Sequence, residues 1–274
     1  MTKRSRVLGV LLGAGIAAGL FAGPPAARAD GDLSHVNHII IVMMENHSYD
    51  NYFGALGYVP NSPYHNSRHR GGCDATDHAC VDGLRCKFLV GGGISCRNKN
   101  PNSNAPTVRS FHDPRYCTGP DLDHSWDGSH EEANFRHPGN TARSSPNNGF
   151  IKVNNVTNLP NTTQATTHDT MGYYDDTDLP FYYDIAKTFA ISDRYFCDVI
   201  GQTVPNRAYS MAGTSFGHLT TNEILGFGSN GYKPIGGTIL DRLDAASVSW
   251  TSYASDLSYT FLMFDAPAAH TKPV

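Results

Sequence analysis

The sequence is poor in charge, in basic clusters and in long apolar runs. Charged residues make up 17% of its 274 positions against 39% apolar ones, a balance that excludes a coiled coil and a disordered chain. No apolar run reaches the roughly 20 residues that a bilayer-spanning helix needs, which excludes a polytopic membrane protein. There is no basic stripe. Outside residues 1–29, which hold Lys3, Arg4, Arg6 and Arg28 but no acid, 17 bases face 25 acids, a net −8 over 245 residues. An acidic body of this kind excludes nucleic acid as a partner. No Cys-x-x-Cys pair is present, which argues against a zinc site built on the cysteines. There is no internal repeat, and the basic start of the chain has no adjacent Arg pair of the twin-Arg type upstream of its apolar run.

What is present begins with a leader. Lys3-Arg4-Ser5-Arg6 precedes an apolar and glycine run from Val7 to Phe21, then Pro24-Pro25 and the small-x-small sequence Ala27-Arg28-Ala29. Residues 1–29 therefore read as a secretory signal peptide, with an uncleaved anchor as the alternative, and the protein is expected outside the cytoplasm, secreted or periplasmic. All six cysteines lie beyond the leader, and Cys73, Cys80, Cys86, Cys96 and Cys117 fall within 45 residues; Cys197 stands apart. An even count in an exported chain predicts disulfides, although 15 pairings are open.

The remaining 30–274 reads as one α/β domain with a large irregular insertion at 60–120. Val36 to Met44, centred on Ile39-Ile40-Ile41-Val42, has the length and branching of a buried parallel strand. Helical character is expected over 121–136, over Pro180 to Ala186 behind an Asp178 cap, from Pro205 to Ala212, and from Ile239 to Ala246 behind Thr238. Short strands are expected at Phe189–Ile191 with Tyr195-Phe196, and at Val248 to Tyr253.

Two segments carry chemistry. The first is Met43-Met44-Glu45-Asn46-His47-Ser48-Tyr49-Asp50, where an apolar run ends in a carboxylate and a carboxamide. Ligands of open α/β sheets bind at the carboxyl ends of strands, and Glu45 and Asn46 offer two hard oxygens suited to a divalent cation. Read alone, they are equally a first-turn acid and a cap. The second segment is Gly201-Gln202-Thr203-Val204-Pro205-Asn206-Arg207. A hydroxyl two residues before a helix-starting proline sits where free N–H groups and a partial positive charge favour an anion. A lone Thr-x-Pro is otherwise an ordinary helix start.

Together these segments resemble the bacterial phosphoesterase family of phosphatidylcholine-cleaving phospholipases C and acid phosphatases, a branch of the alkaline phosphatase superfamily. The resemblance runs from about His35 to Tyr253. It includes Asp121-Leu122-Asp123-His124-Ser125-Trp126 with His130 and Asn134, Met171-Gly172-Tyr173-Tyr174 through Leu179-Pro180-Phe181-Tyr182-Tyr183, Asp193-Arg194-Tyr195-Phe196, and Thr203-Val204-Pro205-Asn206-Arg207 with Gly213-Thr214. It implies a mostly parallel sheet flanked by helices. It implies Glu45 and Asn46 as metal ligands and Thr203 as a nucleophile that also touches the divalent metal, whose identity stays open. It implies Asn206 at a phosphoryl-binding position, with Arg207, His124 and His130 lining the substrate pocket; the two histidines read otherwise as surface residues of a polar helix. The reaction implied is attack by the Thr203 alkoxide on phosphorus, then hydrolysis of a phosphothreonine.

The family's second ligand group, a pair of Asp with nearby His, lies well beyond the Thr motif, whereas this sequence ends 71 residues after Thr203. Asp256, Asp265 and His270 are the late candidates and none stands in a matching context. The expectation is the N-terminal portion of a longer phosphoesterase, with an incomplete sheet. The leading function is a phospholipase C on phosphatidylcholine-type lipids, with transient contact at the membrane surface. The alternatives are an acid phosphatase on soluble monoesters, a non-catalytic binding protein on the same scaffold, and a disulfide-stapled structural module. Oligomeric state stays open.

Overall fold

The computed structural model describes residues 33–67, 72–102, 106–119, 121–154, 168–221, 234–255, 258, 263–264 and 270–274. The leader at 1–29, Asp256 and Asp265 lie outside the described residues. The chain divides into two units, residues 1–44 and 45–274.

In the first unit, residues 36–44 are neither helical nor paired as a strand, and Ile39, Ile40 and Ile41 are 82%, 84% and 78% exposed. The expected buried strand is therefore not formed among the described residues. A strand apolar on both faces is stable only when neighbours cover both, and no described segment pairs with this one.

The second unit mixes helices with short strand pairs. It opens with helix α1 (Tyr49–Phe53), capped by Ser48, whose hydroxyl accepts from Asn51 N at 3.2 Å. The Cys-rich segment is more ordered than expected. It holds β1 (His65–Asn66), β2 (Cys80–Val81), β3 (Cys86–Phe88), β4 (Ile94–Cys96), β5 (Lys99–Asn100), β6 (Val108–Arg109) and β7 (Phe111–His112). Disulfides Cys73–Cys80 and Cys86–Cys96 staple it, while Cys117 and Cys197 are free and exposed. After α2 (Trp126–Ala133) and α3 (Phe150–Asn154) come β8 (Gly172–Tyr173) and α4 (Pro180–Thr188). Then follow α5 (Thr203–Ala212), α6 (Ile239–Ala245), β9 (Ser252–Ala254) and β10 (Thr271–Pro273).

Five two-stranded sheets result among the described residues. β1 with β2, β7 with β8, and β9 with β10 are parallel; β3 with β4 and β5 with β6 are antiparallel. The mixture is that of an α/β fold, but one large parallel sheet is not present among the described residues. Phe189–Ile191 and Tyr195-Phe196 are not strands, and the expected strand at 248–253 is shortened and shifted to β9.

Two apolar clusters sit around β8 and α4. Leu56, Val59, Tyr174, Leu179, Tyr183 and Ala186 form one, with Tyr52, Phe53 and Tyr182 packed on it. Ala55, Leu84, Cys96 and Tyr173 form the other. Consecutive residues Tyr173, the end of β8, and Tyr174, just beyond it, thus enter different clusters. A third cluster joins Val204 and Ala208 of α5 to Met263. Burial of Val204 and Ala208, four residues apart, leaves Thr203 and Arg207 on a different face of the same helix.

Candidate active site

Helix α5 begins at Thr203, two residues before the start expected at Pro205, so the proline occupies the third helical position. Its missing N–H is one that the first turn leaves unbonded in any case. Gln202 is the cap residue in extended conformation, yet its side chain does not cap; its Oε1 accepts from Thr221 N at 2.7 Å. The leading N–H groups of Thr203 and Val204 are therefore not taken by a cap side chain. Gly213 ends the helix with φ of 71°, a left-handed conformation that costs glycine little.

Asn206 closes the loop ahead of Thr203. Its Oδ1 accepts from Val199 N at 2.9 Å, and its Nδ2 donates to the carbonyls of Val199 (2.9 Å), Gln202 (3.0 Å) and Gly201 (3.2 Å). The amide implied as a phosphoryl contact is here turned onto the backbone of residues 199–202. Arg207 is likewise occupied: Nε and Nη2 both lie 3.0 Å from Oε2 of Glu45. That pair spans 162 residues of sequence and draws the first motif to the second. Helix geometry puts Thr203 one turn from Arg207 on the same face. Asn46, next to Glu45, has φ of 80°, uncommon outside glycine and best tolerated by Asn and Asp.

The histidine stretch adjoins this loop through Trp126. A Cβ on Gly201 would stand 3.6 Å from Trp126 Cα, so the first turn of α2 packs on the loop that leads into Thr203. Ser125 caps α2 by accepting from Gly128 N at 3.0 Å. His130 Nδ1 lies 2.7 Å from the Trp126 carbonyl oxygen, and the two rings sit 4.0 Å apart. His124 is half-exposed, its Nδ1 2.8 Å from the Leu122 carbonyl oxygen and 3.8 Å from Asp121. An open cleft of about 430 Å³ is lined by Trp126, Asp127, His130, Glu131, Pro138 and Thr141, among others.

Beneath α2, Asn154 ties the stretch down. Its Oδ1 accepts from Asp123 N at 2.8 Å and its Nδ2 donates to Glu132 and to the Phe150 carbonyl. Burial pushes the Glu132 carboxyl up to about 7; the Asn154 amide opposes the shift and the nearby Asp123 adds to it.

The Phosphoesterase family model matches residues 36–271, a span that includes every residue just described. The chain belongs to the Phosphoesterase family. Among its relatives, phospholipase C B of Mycobacterium tuberculosis is 30% identical over 198 residues, 68% of this chain and 31% of that protein. The non-hemolytic phospholipase C of Pseudomonas aeruginosa is 28% identical over 238 residues, 84% of this chain and 28% of that protein. Phospholipase C A of M. tuberculosis is 29% identical over an alignment covering 92% of this chain and 45% of that protein. The chain spans between about a quarter and a half of the length of the curated relatives it matches.

In this chain, Glu45, Asn46 and Thr203 supply a carboxylate, an amide and a hydroxyl oxygen, a donor set that fits a hard or borderline divalent cation. Glu45 is in contact with Arg207, so a cation there competes with the guanidinium for that carboxylate. Three other groups of metal-ligand type occur among the described residues: His65, Asp77 and Cys80; Cys73, Asp82 and Asp193; and His112, Asp175 and Asp178. The sequence reading identified none of them. His112 and Asp175 are 63 residues apart, and the only local signal is the i, i+3 spacing of Asp175 and Asp178.

Proposed function

We propose that this chain carries the nucleophile of an exported phosphoesterase that cleaves phospholipids of the phosphatidylcholine type, as a phospholipase C. The observation that carries the proposal is the Glu45–Arg207 pair, which brings the carboxylate of the first motif to the helix that begins at Thr203.

In this reading Thr203 Oγ1 gives up its proton and attacks phosphorus in line; the diacylglycerol alcohol departs, and water then cleaves the phosphothreonine. The N–H groups at the start of α5 face the equatorial phosphoryl oxygens, where the helix end favours negative charge. Asn206 holds the 199–202 loop so that Thr203 stays in place. Arg207 fixes the Glu45 carboxylate, and His124 and His130 line the approach from α2. A divalent cation bound by Glu45, Asn46 and Thr203 would supply Lewis acidity toward the hydroxyl and the phosphate oxygens.

The test compares choline-phosphate release from phosphatidylcholine with turnover of p-nitrophenyl phosphate, for the parent chain and Thr203→Ala. The expected result is lipid cleavage that the substitution abolishes. Equal turnover by Thr203→Ala refutes the nucleophile assignment, and faster turnover of the monoester favours an acid phosphatase. Tight binding of an inert phosphonate with no turnover of either substrate favours a binding protein on the same scaffold.

A further inference from the structure

The cluster formed by His112, Asp175 and Asp178 stands apart from the Thr203 motif, and its parts come from two places in the fold. His112 ends β7, while Asp175 and Asp178 lie in the connection from β8 to α4. The parallel pairing of β7 with β8, with His112 opposite Tyr173, brings the imidazole to the start of that connection. His112 Nε2 lies 2.6 Å from Asp178 Oδ2 and 3.7 Å from Asp175 Oδ2. One potential ligand atom from each residue lies within 4.8 Å of the other two.

We propose that this cluster is a zinc site that fastens the β7–β8 pair to the start of α4. The donor chemistry is one imidazole nitrogen and two carboxylate oxygens, a set that zinc accepts at about 2.0–2.2 Å, leaving a fourth position for water. A tetrahedral site of that radius separates its ligand atoms by about 3.3 Å. The observed spacings of 2.6 and 3.7 Å bracket that value. Exchanging the Nε2 proton for the ion lengthens the first contact and shortens the second.

The carboxylates are already held in place. Asp175 Oδ1 accepts from Thr177 N at 2.9 Å and from Thr177 Oγ1 at 2.6 Å, which leaves Oδ2 as the oxygen nearer the imidazole. Asp178 Oδ2 accepts from Asp175 N at 2.9 Å, and the Asp178 carbonyl accepts from Tyr116 Oη at 2.7 Å. The Asp178 side chain is only 7% exposed, whereas His112 is 39% exposed and provides the way in. Two carboxylates around one imidazole leave an excess of negative charge beside a buried oxygen, which a divalent cation offsets better than a single proton. The other two groups do not compete, because Cys73 and Cys80 are joined to each other and present no thiolate.

The test is zinc titration of the chelator-stripped 274-residue chain by calorimetry, alongside His112→Ala and Asp175→Asn, with melting temperature as a second reading. Asp175 is the less intimate partner of His112, so Asp175→Asn decides the matter if circular dichroism shows that His112→Ala has not folded. The expected result is that each folded variant loses one equivalent of zinc, or binds it at least tenfold more weakly. Zinc is expected to raise the melting temperature of the parent more than that of the variants. A zinc bound at Glu45 and Thr203 remains in all three proteins and does not affect the difference. Unchanged stoichiometry and affinity in Asp175→Asn overturns the proposal, as does a parent chain that binds no zinc.

Discussion

Replacing Asn206 with alanine removes one side chain that serves four backbone groups. Val199, whose N–H the Asn206 carbonyl oxygen accepts, is 6% exposed, so little water reaches that donor once its partner is gone. The two amide hydrogens of Nδ2 are shared among the carbonyls of Val199, Gly201 and Gln202. Counting the two 2.9 Å contacts to Val199 at about 1 kcal/mol each gives a loss of about 2 kcal/mol. In a domain of this size that lowers the melting temperature by about 4–8 °C. Asn206→Asp separates donation from acceptance. It keeps an acceptor for Val199 N but turns a carboxylate oxygen onto carbonyl oxygens now 2.9–3.2 Å from Nδ2, so it is expected to be at least as destabilising as alanine. The assay is thermal and urea unfolding of the three proteins, together with calorimetric binding of an inert phosphonate. The reasoning fails if Asn206→Ala melts with the parent while phosphonate affinity falls, because the amide then contacts the anion rather than the loop.

Two further outcomes concern charge. Glu132, pushed up to about 7 from an ordinary 4.5, holds its proton longer in the folded chain than in the unfolded one. Its contribution is therefore fully present below about pH 4.5 and declines as pH rises toward 7, by roughly 3 kcal/mol in all. Glu132→Gln is expected to flatten that decline and to raise stability at pH 8, as measured by urea unfolding across pH; an unchanged profile counts against the assignment. Arg115 donates to Asp113 at 2.8 and 2.6 Å and to Asp169 at 2.8 Å, and both carboxylates are buried. Its hydrogen bonds hold the Asp113 carboxyl below the usual range, so this stability is present above about pH 4 and is lost as pH falls through the lowered value. Arg115→Met is expected to lower the melting temperature at pH 7 and to do so less in acid, where the orphaned Asp113 carboxylate protonates. An equal loss at both pH values refutes the charge argument.

Local features were legible where one residue fixes its own neighbourhood. Thr238 caps α6 through a reciprocal capping box with Asp241, and Pro180 occupies the first turn of α4. Gly213 closes α5, and the 203–207 motif marks its start to within two residues. The sequence makes Asp178 a cap candidate because it shows only that the residue precedes a helix. In the fold Leu179 takes that place, and the Asp178 carboxylate reaches His112, 66 residues away. Val36 to Met44 carried a strong strand pattern, but pairing is supplied by other segments, and no described one supplies it.

The sequence by itself determined the chemical inventory and the family: a hydroxyl, a carboxylate and two amides in recognisable order, on a chain that matches the Phosphoesterase family over residues 36–271. Residue identity sets what each group can donate, accept or ligate. Only the tertiary structure decided what each group holds. Arg207 meets Glu45 across 162 residues, Asn206 turns inward to its own loop, and His112 meets two carboxylates from another segment. The physical reason is range. Capping and turn preferences act within a few residues, whereas hydrogen bonds and ion pairs act over about 3 Å of space, and which distant groups come that close is settled by the packing of the whole chain.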